Sequence, residues 1–329
     1  MRHASRFGLL ALLSALVLPA ACTNAGDDVT FGPFPTGQIG VLVFLDRDGN
    51  GAASPADTAF AGARVALLSQ RSNDTLATRL TDATGFALFD TLPIGEYRVA
   101  IDTVSIGDSI RVAAVDSSNV QLVNGGPAIG VVARLAFPEV SLKEVRSLAS
   151  GKRVFVRGII LAGVQSFSDT TSHLADTSGT LRLTEVSLAG GLAGNNPGDS
   201  VVVLGRTGVR ATQPVLTQSR IIRLATRPAP IPSPVSTATA ASANNGLLDA
   251  ALIQITSALI SDTVTVAPNF HVTVSDGTGN LIVVLDANIP FLRTAFGPGR
   301  FMNTRGVLVP DGNGQWTLKP RVGQDVILN

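Results

Sequence analysis

Short hydrophobic runs separated by turn residues dominate the chain after residue 37. IGVLVFL (39–45) and ARVALLS (63–69) read as buried strands. FALFDTL (86–92) leads into a turn at 93–95, and EYRVAID (96–102) alternates as a half-buried strand does. RVAAVD, NVQLV and IGVVARLAF continue the series up to Pro138. Roughly seven strands in about 100 residues, without helical periodicity, predict a β-sandwich over residues 37–138. The chain as a whole is expected to be all-β.

From residue 139 a second pattern repeats itself. HLADTSGTLRL (173–183) corresponds to VTVSDGTGNLIVVL (272–285), with Asp176, Gly179 and Leu181 falling 100 positions before Asp276, Gly279 and Leu281. NPGDSVVVLGRTG (196–208) corresponds to GPGRFMNTRGVLV (297–309), with Gly198 and Gly205 each 101 before Gly299 and Gly306. Arg220 and Arg321 keep that same offset. Each copy, 139–226 and 237–329, is near the size of a five-stranded barrel. Residues 227–236 carry prolines at 228, 230, 232 and 234. Alternating prolines favour an extended, semi-rigid spacer, so the copies are expected to stand as separate domains.

The N-terminus carries an address. Arg2 and Arg6 precede an uncharged, mostly apolar run over 7–21, too short to span a bilayer comfortably, and Ala20 and Ala21 then precede Cys22. This order resembles the bacterial lipoprotein signal, although that family prefers Leu where Pro19 stands. The resemblance implies a signal peptide over 1–22, lipidation at Cys22, and an exported protein tied to the outer membrane or cell surface. An ordinary cleaved secretory signal with an incidental cysteine is the other reading. Residues 23–36 are polar and rich in Gly and Pro, which reads as a tether. No later segment is long and apolar enough for a transmembrane helix. Cys22 is the only cysteine, which excludes an intrachain disulfide and a cysteine-based zinc cluster.

One motif has metal chemistry of its own. Asp46, Asp48 and Asn50 alternate, Gly51 follows, and Asp57 closes the run. Carboxylate and amide oxygens at loop positions 1, 3, 5 and 12, with Gly at 6, suit a hard cation such as calcium. Ser54 stands at position 9, and Ala52 would offer its carbonyl. The alternative is a polar turn enriched in Asp, Asn and Gly for backbone reasons. A strand precedes the loop and another follows, where an EF-hand would have helices. VFLDRDGNGAASPADTAFAGARVAL (43–67) with TDATGFALFDTLPIGEYRVAID (81–102) resembles the prealbumin-like B repeats of serine-aspartate adhesins. That resemblance implies a prealbumin-like sandwich with a structural calcium site. The family's acidic residue at the place of Ser54 is missing here.

The two copies that follow resemble the OB-fold domains of secreted bacterial proteins, including non-catalytic parts of some extracellular nucleases. The likeness lies in DGTG before a hydrophobic strand, PGD-strand-G, and a terminal L-x-P-R…D-V. It implies two OB-fold-like β-barrels, and the first copy has only DTSG and SRIIRL at the matching places.

Composition narrows the function classes. Hydrophobic residues make up 45% and charged residues 15%, ample material for cores, and the net charge of +1 implies no strongly charged partner overall. No nucleophile elbow, H-E-x-x-H zinc motif or phosphate loop occurs, and there are three histidines and four glutamates (Glu96, Glu139, Glu144, Glu185). His173 and His271 fall at nearly equivalent places in the two copies, where a structural role on the barrel surface is expected. The expected function is therefore a non-catalytic, lipid-anchored envelope protein that adheres to, or scaffolds, an envelope protein or glycan. Residues 139–228 hold eleven Lys or Arg against six Asp or Glu. Lys152, Arg153, Arg157, Arg182, Arg206 and Arg210 could thus track a phosphate backbone, an alternative nucleic-acid-binding role for the first barrel. Phe155 and Phe167 are the aromatics available there for stacking.

Overall fold

The computed structural model describes residues 34–188 and 196–329. The signal-like residues 1–22, Cys22 and the tether up to residue 33 lie outside the described residues. The regular structure is nearly all β, arranged as one sandwich and two barrel-like sheets.

The sandwich comprises β1 (Thr36–Asp46), β2 (Thr58–Ala59), β3 (Arg64–Ser69), β4 (Thr75–Leu80) and β5 (Phe86–Pro93). It continues with β6 (Gly95–Ile101), α1 (Thr103–Ile106), β7 (Arg111–Val115), β8 (Asn119–Leu122) and β9 (Ile129–Ala136). One sheet runs β2-β1-β9-β7 with β5 also on β1; the other runs β4-β3-β6-β8. β1 lies parallel to β9 from Ile39↔Ile129 to Asp46↔Ala136, so the start and end of the domain pair directly. Alternation along the strands sends Ile39, Val41 and Val43 inward to meet Val65, Leu67, Phe89, Val99 and Leu135 in one core.

The first barrel follows α2 (Leu142–Val145) and comprises β10 (Arg153–Ala162), β11 (Ser172–Ala175), β12 (Thr180–Leu183), β13 (Ser187–Leu188), β14 (Asp199–Arg210) and β15 (Gln213–Thr226). Pairing of β12 with β15 closes it. The second comprises β16 (Ser233–Pro234), α3 (Thr237–Ala241), β17 (Leu252–Val266), β18 (Asn269–Ser275), β19 (Asn280–Leu285), β20 (Phe301–Pro310), β21 (Trp316–Lys319) and β22 (Val326–Leu328). Here β19 pairs β21 in parallel and β17 pairs β20.

The repeated motifs have structural reasons. Asp176 Oδ1 accepts from the amides of Ser178 and Gly179, and its Oδ2 accepts from the Leu142 amide at the start of α2. Asp276 does the same work in the second copy: Oδ1 accepts from the Thr278 amide and Oδ2 from the Thr237 amide at the start of α3. Each carboxylate thus ties a hairpin turn to the short helix that plugs its barrel. Gly205 and Gly306 mark close approaches. A Cβ on Gly306 would stand 2.2 Å from the Lys319 carbonyl oxygen, and one on Gly205 would stand 2.5 Å from Leu216 Cγ.

Strand register corrects two of the pairings drawn from sequence. His173 opposes Ala162 just past a bulge, and Thr273 opposes Asp262 at the matching bulge. The counterpart of His173 is therefore Thr273, two residues beyond His271. Arg220 precedes Ile221, which opposes Val203; in the second barrel Asp325 precedes Val326, which opposes Thr304. Arg220 therefore stands level with Asp325, and the short 3-10 turn Gly323–Asp325 displaces Arg321 from the offset.

The barrels do not stand apart. Leu161, Ala162 and Phe167 of the first pack with Leu252, Val307 and Val309 of the second in a single buried cluster. Arg321 donates to Asp325 through Nε (2.9 Å) and Nη2 (3.1 Å), and its Nη1 donates to the Leu161 carbonyl across the interface (3.0 Å). Arg146 donates to Asp249 Oδ2 at 3.0 Å, and Lys319 Nζ lies 2.9 Å from Asp169 Oδ2. The proline-rich segment, whose Ser233 and Pro234 pair with β17, thus joins two barrels that share a core, because six apolar side chains favour burial over separation. The sandwich also docks on the first barrel: Phe155, Val202 and Leu204 complete its core, with Phe137 and Phe155 rings 6.2 Å apart.

Candidate functional site

The loop after β1 gathers the acidic residues that sequence spacing singled out. Asp46, Asp48 and Asp57 each present a carboxylate oxygen within 4.8 Å of the others. Backbone amides organise the turn. Asp46 accepts from Gly49 (2.6 Å) and Gly51 (3.1 Å), Asp48 from Asn50 (3.1 Å), and Asp57 from Arg47 (2.9 Å) and Ser54 (2.9 Å). Asn50 Oδ1 accepts from the Ala52 amide at 2.7 Å. Ser54 Oγ donates toward Asp57 Oδ2 (3.0 Å) and lies 3.4 Å from Asp48 Oδ2, so the hydroxyl points into the cluster. Gly51 has φ +81°, the left-handed conformation that glycine adopts without strain.

Three carboxylates this close repel one another unless a cation stands among them. Arg134 supplies part of that charge, with Nη1 at 3.1 Å from Asp46 Oδ2, and Asp46 itself is 1% exposed. The set is all oxygen, with carboxylate, amide and hydroxyl groups, and its oxygens retain acceptor capacity beyond the amide contacts. Such donors fit a hard cation of the calcium type. Arg134 is a participant that sequence spacing missed, since it lies 88 residues away on β9 and reaches the loop through the parallel β1–β9 pairing.

Residues 37–124 match the SdrD B-like domain family. The loop and the strand signature fall inside this B-like domain; Arg134 lies beyond the matched residues. No curated protein matches the chain. Among solved structures it is similar to GBS52, the minor pilin of Streptococcus agalactiae, at 14% identity, covering 32% of this chain and 45% of that one, with a TM-score of 0.25. The chain thus spans less than half the length of that pilin. It is also similar to a murine DNA binding protein solved with double-stranded DNA, at 9% identity over 55% of this chain and 98% of that one (TM-score 0.29). The E. coli protein YgiW is similar at 20% identity over 27% and 97% (TM-score 0.22). Likenesses at these scores do not bear on what the chain binds.

The six basic residues expected to form one phosphate-tracking face are divided. Arg153 and Arg157 flank Phe155 on the face of β10 that the B-like domain covers, and Arg157 Nε donates to Glu139 at 2.8 Å. Arg182 is 8% exposed; its Nη2 donates to the Arg210 carbonyl, and it lines a separate cleft between the barrels. Lys152 and Arg210 are exposed, and Arg206 opposes Arg153 across the β10–β14 ladder. Phe155 and Phe167 are both buried, so neither offers a ring for base stacking.

The inter-barrel cleft holds about 290 Å³ and is lined by Asp169, Arg182, His271, Asp311 and Lys319 among others. Beneath the same interface His173 is fully buried rather than on the barrel surface, edge-on to Phe167 with ring centroids 5.7 Å apart. Neither of its nitrogens meets a partner.

Proposed function

We propose that this chain is an exported, lipid-anchored and non-catalytic envelope protein, in which a calcium-stiffened B-like domain and two fused OB-fold-like barrels present an adhesion or scaffold surface to an envelope protein or glycan. The observation that carries this reading is where the acidic loop sits. A Cβ on Gly49 would lie 3.4 Å from Val202 Cγ1 and 3.5 Å from Phe155 Cε1. The loop therefore packs against the first barrel, and whatever fixes the loop also fixes the joint.

Asp46, Asp48, Asn50, Ala52, Ser54 and Asp57 would hold the calcium, which supplies the charge that lets three carboxylates stay together. With three charged ligands and a short Asp57 at the closing position, affinity in the range of extracellular modules, about 0.1–1 mM, is expected. Cys22 as the lipidated residue places the protein at the envelope, where calcium reaches such concentrations.

Two measurements test this. Calcium at about ten times its Kd should stabilise the protein by about 1.4 kcal/mol over chelated protein. Asp48→Ala should remove that gain while leaving the chelated stability nearly unchanged. Equal stability with calcium and with chelator overturns the metal role. Palmitate labelling of cells expressing the full chain should be lost in Cys22→Ser, and labelling that persists, or never occurs, overturns the anchor.

A further inference from the structure

A second cavity lies where Arg47 of the acidic loop meets the first barrel. It holds about 110 Å³ and is lined by Arg47, Arg153, Leu204, Gly205, Arg206, Gln218 and Arg220. Four arginines line it and no acidic residue does. We propose that Arg47, Arg153, Arg206 and Arg220 form a binding site for one tetrahedral oxyanion, a phosphate or sulfate group.

The strands bring the cations together. Arg153 on β10 and Arg206 on β14 are directly opposed, the arrangement in which like charges destabilise a sheet. Arg220 on β15 opposes Leu204, two residues from Arg206, and a register shift between Leu204 and Arg206 draws Gln218 into the wall with φ +50°. Arg47 arrives from the B-like domain, so the site exists only while that domain is docked.

These arginines are short of partners. Each guanidinium has five N–H donors. Among the described residues, Arg206 Nη1 donates to the Gly151 carbonyl at 3.1 Å, and Arg47 Nη1 reaches Thr58 Oγ1 at 3.5 Å. Arg153 sits over the Phe137 ring at 5.5 Å. Among the described residues none of the four takes part in an ion pair, whereas the nearby Arg157 on the same strand as Arg153 is paired with Glu139. Burial, Arg206 and Arg47 together push the Arg153 guanidinium below its ordinary pKa, the mark of cations held close without a counter-charge.

The repeat sharpens the argument. At the equivalent level of the second barrel, Arg305 Nε meets Asp325 at 2.6 Å. In the first barrel the corresponding residues are Leu204 and Arg220. Where one copy carries the acid of an ion pair, the other carries a fourth base. A planar fork that matches tetrahedral oxyanions bidentately is the group such a site calls for. The cavity is large enough for one such group and too small for a polymer chain.

The inference does not depend on the calcium reading. It is tested on the full chain by calorimetric titration with sodium phosphate and sodium sulfate, at constant ionic strength made up with chloride. Saturable binding above the chloride background is expected, weakened about tenfold in Arg220→Gln and again in Arg206→Gln. Both variants should melt in chloride no lower than the native protein, because each removes one of four like charges, and at a given oxyanion concentration the native protein should gain more thermal stability than either. Glucose 6-phosphate and glucose 6-sulfate distinguish the sources. An ester bound as tightly as the inorganic ion supports a group carried on a larger molecule, and preference for the inorganic ion supports capture of the ion itself. Absence of saturable binding, unchanged affinity in Arg220→Gln, or variants that melt lower in chloride would each overturn the site.

Discussion

Acidification should weaken this protein from about pH 6.5 downward, and His173 is the reason. The ring is fully buried with no hydrogen-bond partner. Burial holds its pKa down to about 3 from an ordinary 6.5, with Asp169 opposing the shift while Arg182 and Lys319 add to it. The folded state therefore keeps the imidazole neutral while the unfolded chain takes up a proton as pH drops below 6.5. Stability is fully present above that value and is lost as pH falls toward about 3. At pH 5 the unfolded imidazole is almost wholly charged and the folded one almost wholly neutral, a difference of about 2 kcal/mol; the limit is about 5 kcal/mol below pH 3.

The assay is urea unfolding at pH 7.5 and 5.0, followed by circular dichroism and by the fluorescence of Trp316, the single tryptophan. The native protein should lose about 2 kcal/mol between the two conditions, and His173→Leu much less. His271 is also held below its ordinary value, mainly by burial, but it contributes to both proteins and drops out of the comparison. Asp169, held to about 2 chiefly through Lys319 and Thr171 against its own burial, loses its contribution only below about pH 4. Equal losses in native protein and His173→Leu would refute the reasoning.

Three further outcomes are expected. Asp325→Ala leaves Arg321, at 9% side-chain exposure, without its carboxylate, and should cost about 3–5 kcal/mol in chemical denaturation. Gly306→Ala places a methyl 2.2 Å from the Lys319 carbonyl oxygen; a loss of about 1–3 kcal/mol in thermal unfolding is expected as β20 and β21 are pushed apart. Phe167→Ala hollows the core between the barrels, and should cost about 3–5 kcal/mol and split a shared calorimetric transition into two.

Local signals carried the strands and the acidic loop, while distant partners stayed hidden. Alternation along 96–102 and the spacing of Asp46, Asp48 and Asn50 are properties of a few consecutive residues, and period and turn chemistry decide them. The repeat of Asp176 and Asp276 is visible as an offset, yet what each holds, an amide 34 or 39 residues earlier, depends on how the barrel closes. The basic count of 139–228 was legible too, but charge carries no direction. Arg153 and Arg157 alternate with Phe155, a pattern shared by a solvated strand and by a sheet face docked on a neighbour. Only the apposed Phe137 decides between them. His173 and His271 looked nearly equivalent because residue type was matched across a two-residue slip. The 100-residue offset of Asp176 and Asp276, which strand register keeps, sets Thr273 level with His173. The prolines at 228–234 imply a stiff segment, but stiffness says nothing of whether the flanking domains attract.

Because Leu161, Phe167, Leu252 and Val309 already hold the barrels together, the segment between them serves assembly more than architecture. A chain cut after Arg227 would keep its halves clasped, since the apolar contact and the Arg321–Leu161 hydrogen bond do not pass through the cut. What the cut removes is the local concentration that a ten-residue connection maintains, of millimolar order for a short tether. The connection is thus a matchmaker during folding: it brings two duplicated partners together once, inside one molecule, before either can find the wrong copy in a neighbour.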